Sequence, residues 1–178
     1  MNRFSFLNHT WMALKPILKY LCVVAFFWLA FFEVFRIIFL FINWSKSIEV
    51  PLPDLLLSFV YGLRFDASIT GYILMLFAVV LALGSFLIPL RTLLRTLNIL
   101  NAVLVVLMVG FLLTNGFVYS FWGVHVEASA LQFLENPLLV VASLTGLQMV
   151  LFPIALIIIC WTVIRLYFRI VKPYSLVT

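Results

Sequence analysis

Four stretches of this 178-residue chain are apolar for long enough to cross a lipid bilayer, and that property restricts the fold more than any motif does. A hydrocarbon core of about 30 Å takes roughly 20 helical residues. The stretches fall near residues 17–43, 69–89, 97–122 and 147–168. With no water at hand, a spanning segment must satisfy its own backbone amides, so each is expected to be a helix; barrel strands are about 10 residues long. The first stretch is longer than a signal-peptide core and no small-residue cleavage site follows it, so it is expected to remain in the mature protein. Composition agrees: 66% of residues are hydrophobic and 10% charged, and mean hydropathy is +1.27. A soluble domain carries about 25% charged residues on its surface. The expected fold is all-α: one domain over residues 1–178, a polytopic membrane protein of four transmembrane helices plus interfacial or re-entrant outer helices.

The charges give the expected orientation. Lys and Arg in short loops are retained on the cytoplasmic side of a membrane. Arg3, Lys15 and Lys19 precede the first span, Arg91 and Arg95 lie between the second and third, and Arg165, Arg169 and Lys172 sit at the end of the fourth. Glu49, Asp54, Asp66, Glu127 and Glu135 fall in the other two connections, which are therefore expected outside, with both termini in the cytoplasm. Trp44, Tyr119 and Trp122 at the outer ends, and Trp11, Tyr167 and Tyr174 at the inner ends, fit aromatic belts at headgroup depth. A net charge of +5 suggests nucleic acid, but the basic residues form no cluster that could follow a phosphate backbone, so no nucleic-acid partner is expected. Cys22 and Cys160 lie inside apolar stretches and imply no disulfide framework.

Two outer segments carry more than a connector needs. In residues 51–66, Leu55, Leu56, Phe59, Val60 and Leu63 recur at helical spacing behind an Asp54 that can cap a helix. This predicts an interfacial helix, with Gly62 allowing a break before Arg64 and Asp66. Residues 123–145 hold His125, Glu127 and Glu135 among apolar side chains, with Pro137 able to start a second short helix.

The string GLRFDASITGYIL at 62–74, then Tyr119, Trp122, Gly123 and His125, then LQFLENP at 131–137, resembles the lipoteichoic acid synthase family. The likeness is greatest to its Gram-negative, sulfatase-like members. The resemblance implies the membrane domain of an enzyme that moves phosphoglycerol or a related head group from a phospholipid to a glycan or glycolipid. It also implies a place in the bacterial cytoplasmic (inner) membrane. In such enzymes a Thr nucleophile and a divalent metal held by Glu, Asp and His sit in an extracytoplasmic domain beyond a further span. This sequence reaches Thr178 before such a domain, so it is expected to be the membrane module alone. No catalytic residue, metal site or cofactor is expected within it: His9 and His125 fall on opposite sides of the membrane, the acids are dispersed, and no phosphate loop or nucleophile elbow occurs.

The remaining polar residues each admit two readings. Glu33 and Arg36, three apart within the first span, are expected to pair, since a lone charge at that depth costs several kcal/mol; the pair either fixes helix packing or meets lipid head groups or a partner domain. Arg64 with Asp66 either holds a phospholipid phosphate or forms a local cap. Tyr119, Trp122, His125 and Glu127 are candidates for docking a head group or domain, against a structural role for the histidine. Asn98, Asn101, Asn115, Gly84 and Ser85 suit interhelical hydrogen bonding and close packing. The expected partners are membrane lipids and a catalytic domain or partner subunit on the outer side. A stand-alone lipid- or subunit-binding protein is the alternative; a small transporter is weaker, because no broken helix pair in matching halves supports a midplane site.

Overall fold

The computed structural model describes residues 3–122 and 146–175, which form five helices. These are α1 (Arg3–Ile42), the single turn α2 (Trp44–Ser47), α3 (Leu52–Gly84), α4 (Leu90–Trp122) and α5 (Gly146–Ser175). Four contain segments long and apolar enough to span a bilayer: Leu14–Ile42, Leu52–Gly84, Leu90–Tyr119 and Val150–Val171. The chain is an all-α polytopic membrane protein.

Side-chain contacts fix the directions of the helices. Tyr20 meets Asn98, and Asn43 meets the Gly116 carbonyl, so α1 and α4 run parallel. Tyr167 also meets Asn98, while the rings of Phe117 and Phe152 lie 5.6 Å apart, so α5 runs against α4. A short connection, Ser85–Pro89, turns α3 into α4, and Gly84 lets Leu93 pack against the last turn of α3. Helices α1 and α4 touch one another and each packs on both α3 and α5, which stand apart. The section is thus a rhombus with α1 and α4 on its short diagonal. All of Lys15, Lys19, Arg91, Arg95, Arg165 and Arg169 gather at one end of the bundle, and Lys46, Glu49 and Asp54 lie at the other.

Aromatic side chains of α1 fill the core. Trp28 is fully buried, Phe27, Phe31, Phe32 and Phe35 nearly so, and Phe27 meets Tyr167 edge-on at 5.0 Å. Outward-facing residues such as Phe26, Phe65 and Leu83 are about as apolar and are exposed, which suits a surface bathed in lipid, where helix association depends on packing and polar contacts. At the tip of the α3–α4 connection Phe86 is 88% and Leu87 83% exposed.

Helix α3 departs from expectation. Residues 52–66 are helical, but the chain does not break at Gly62, and the second span is not a separate helix over 69–89. One helix of 33 residues runs from Leu52 to Gly84. Its buried positions, Asp66, Thr70, Ile73, Phe77 and Leu81, form one stripe that begins at Asp66. The fully helical hydrogen bonding available to an apolar segment outweighs the modest cost of a glycine, about 1 kcal/mol, so Gly62 need not end the helix. Tyr167, read as part of an interfacial belt, is instead wholly buried between helices.

Candidate functional site

Arg36 is the centre of an ion-paired cluster among the described residues of the bundle. It sits on α1, 19 residues from Ile17, hence about 28 Å along the helix. Asp66 sits on α3, 18 residues from Gly84, or about 27 Å. Both distances approach the thickness of the hydrocarbon core, so the two residues meet near its boundary at the acidic end. A charge at this depth persists only when its donors are occupied. Nη1 of Arg36 donates to Glu33 Oε2 at 3.0 Å and to the Phe59 carbonyl at 3.3 Å, and Nη2 donates to Asp66 Oδ2 at 2.6 Å. The guanidinium also lies over the Phe59 ring, with Cζ 5.6 Å from the centroid.

Gly62 makes this arrangement possible. A Cβ there would occupy the space taken by the Arg36 guanidinium, which lies flat against the bare backbone of α3. Spacing along α3 does the rest: Phe59, Gly62 and Asp66 follow one another at three and four residues and face α1 together. Arg64 lies two residues from Asp66, on a different face, and is exposed; the two do not form one site.

A cleft of about 480 Å³ opens beside this network, with α1 at its back and α3 and α4 as walls. Phe39 and Leu40 line it from α1, Leu55 and Ser58 from α3, and Leu112 and Asn115 from α4, while Arg36 and Asp66 form its polar part. Asp54 and Val50 stand at the side toward the α2–α3 connection. One turn beyond Asn115, Tyr119 packs against Phe39 at 5.2 Å, its carbonyl accepts a hydrogen bond from Lys46 Nζ at 2.8 Å, and its ring lies 4.6 Å from that ammonium. The cleft thus joins two carboxylates, a guanidinium, a hydroxyl and an amide with apolar walls. That chemistry suits recognition of a polar head with an apolar body.

A second polar cluster is more fully buried and lies toward the basic half of the bundle. Asn98 Oδ1 accepts from Tyr20 at 3.0 Å and from Tyr167 at 2.8 Å, tying α1, α4 and α5 at one point. Trp28 Nε1 donates to Asn101 Oδ1 at 2.9 Å. Asn98 and Asn101 thereby perform the interhelical bonding expected of them, and Gly84 the close packing. Ser85 does not take part: its hydroxyl bonds the Ala82 carbonyl of its own helix.

The expected Glu33–Arg36 pair is present, and Arg36 bonds still more closely to Asp66, which the sequence pairs with Arg64. Local spacing displays i,i+3 neighbours and is silent on a contact thirty residues away. Tyr119 borders the cleft end as described. Trp122 is the last residue of α4 with its side chain outside the described set; His125, Glu127 and all of 123–145 lie outside the described residues. Among the described residues no group of three His, Cys, Asp or Glu side chains could hold a metal ion. Compared with known protein families, curated proteins and solved structures, the chain has no significant match.

Proposed function

We propose that this chain is the membrane module of a phosphoglycerol-transferase-like enzyme related to the lipoteichoic acid synthases, and that its cleft receives the head group of a phospholipid from the outer leaflet. In this reading both termini face the cytoplasm of a bacterial cell, and a catalytic domain or partner subunit works on the outer side. The observation that carries it is the fit between the GLRFD string and the cleft. Its Gly62 makes room for the Arg36 guanidinium and its Asp66 binds it, so the two residues shape the polar part of a cavity at headgroup depth. In this reading the bond-breaking belongs to the catalytic domain or partner subunit on the outer side. The module's contribution is to hold and orient, which lowers the entropic barrier for a reaction completed elsewhere.

The test uses Ser58→Trp, which fills the cleft from an exposed position and leaves the ion network intact. Purified chain in nanodiscs is titrated with a short-chain phosphatidylglycerol, and its thermal unfolding is followed. Saturating lipid is expected to raise the midpoint of the wild type and not of the variant; equal responses would remove the cleft from the reading. Orientation is tested by Cys introduced at the exposed positions 64 and 92: an impermeant maleimide added to intact cells is expected to label the first alone.

A second reading, a stand-alone protein that binds a partner subunit, is favoured by the outer half of α3. None of its residues from Leu52 to Phe65 is buried, and Val60, Tyr61 and Phe65 are 64%, 70% and 74% exposed.

A further inference from the structure

Helix α3 turns one side to the core and the other to lipid. Its buried stripe runs from Asp66 to Leu81. Tyr61, Phe65, Tyr72, Val79 and Leu83, spaced by four or seven residues, follow one another along the opposite side and are exposed. A side bathed in lipid needs only apolar residues there. Tyr72, and Arg64 on the flank of the same side, depart from that rule.

Tyr72 is 12 residues from Gly84, about 18 Å along the helix, which places it close to the middle of a core about 30 Å thick. Tyrosine in membrane proteins is enriched at the headgroups, where the phenol can reach water. From mid-core the side chain reaches neither headgroup layer. Tyr72 is 69% exposed and has no hydrogen-bond partner among the described residues, and a hydroxyl left unpaired in hydrocarbon is unfavourable. Arg64, eight residues nearer the acidic end, is exposed close to the hydrocarbon boundary and makes no ion pair among the described residues.

These two residues restrict what can cover the face. Acyl tails offer the Tyr72 hydroxyl no acceptor. A lipid phosphate can meet Arg64 but not a phenol about 12 Å deeper along the helix. A second copy related by a two-fold axis through this face sets Arg64 beside its own equivalent, like charge against like. A helix of a different chain satisfies both residues when it carries a carboxylate at the boundary and a hydrogen-bond acceptor eight residues deeper. Gly71, beside Tyr72, has open space around it, so the backbone of such a helix can come close.

We propose that the Arg64–Tyr72 face of α3 docks a transmembrane helix of a partner subunit, whose acid pairs with Arg64 and whose mid-membrane polar side chain accepts a hydrogen bond from Tyr72. The docking face is independent of the Arg36 cleft, because Asp66 leaves α3 on the other side.

The full chain, labelled at its N-terminus with a donor dye, is reconstituted in phosphatidylcholine vesicles with a synthetic helix of about 22 residues that carries an acceptor dye. The synthetic helix is leucine throughout except for a Glu near one end and an Asn eight residues further in. Energy transfer is expected to show it associating about tenfold more strongly than an all-leucine helix. Tyr72→Phe is expected to weaken that association about fivefold, and Arg64→Gln to remove the preference for Glu over Gln in the synthetic helix. Tyr61→Phe, on the same side but about 35 Å from Gly84 and so above the core, is expected to change nothing. The inference is overturned if the all-leucine helix associates equally or if the two tyrosine variants behave alike. Pairing between donor- and acceptor-labelled copies of the chain that Tyr72→Phe abolishes would assign the face to a second copy and overturn it too. All three residues are exposed, so these variants leave the core undisturbed.

Discussion

At the scale of single residues the sharpest contrast is between two glycines of α3. Gly62 lies under the Arg36 guanidinium, whereas nothing stands within 4 Å of a Cβ built at Gly71. Gly62→Ala is expected to push the guanidinium off Asp66 and to cost about 1–3 kcal/mol, the usual penalty of overpacking. Gly71→Ala is expected to be neutral or to stabilise by about 0.5–1 kcal/mol, since it only removes backbone freedom. Reversible unfolding in mixed micelles, followed by circular dichroism, reads both; equal effects would show that the guanidinium does not need the space. The two residues are indistinguishable in the sequence. Gly62 reads as a helix breaker because a missing Cβ serves a turn and a close approach equally, and only the guanidinium crossing from α1 tells which. Asn98 and Asn101 were more legible: a polar side chain in an apolar span has few destinations besides another helix. Their bonds are worth only about 0.6 kcal/mol each on average in a membrane, so they select the helix register more than they stabilise it.

At the scale of elements, α3 poses a problem of length. Its 33 residues make about 50 Å of helix, and even at a 40° tilt, the upper end of the usual range, it rises about 38 Å. A 30 Å core cannot contain it, so its first turns must stand above the hydrocarbon at the acidic end. Nitroxide labels placed singly at 53, 56, 73 and 76 and examined by relaxation contrast check this. The first two are expected to favour the water-soluble relaxant and the last two oxygen; a uniform oxygen preference along the series would mean that the helix is submerged throughout. Hydropathy could not reveal the joined helix, because Leu52–Phe65 carries Asp54 and Arg64 among its leucines and so reads as an interfacial segment of its own. The four spans themselves were legible for a plain reason: runs this long with so few charges have no other stable solution.

At the scale of the whole molecule, the parallel α1–α4 pair and the separation of α3 from α5 place two cavities on opposite faces of α1, the Arg36 cleft and an apolar groove of about 710 Å³ between α1 and α5. Neither was visible in the sequence, since each depends on how far neighbouring helices diverge, and divergence has no local signature. The exposed Phe86 and Leu87 at the α3–α4 corner bear on both. Burying such a side chain among acyl tails is worth about 1.5–3 kcal/mol, so the corner is held in the nearby leaflet beside its arginines, like a keel beneath a hull. With its draught set from below, the bundle meets any change in bilayer thickness at the far rim, where the Arg36 network lies. A label at 86 is expected to keep its depth below the adjacent headgroups when 14-carbon lipids are exchanged for 22-carbon ones, and a label at 58 to sink toward the hydrocarbon. Equal displacement of both would mean that the protein floats freely; the expected result would make membrane thickness itself a control on whether the cleft is open to water or sealed by lipid.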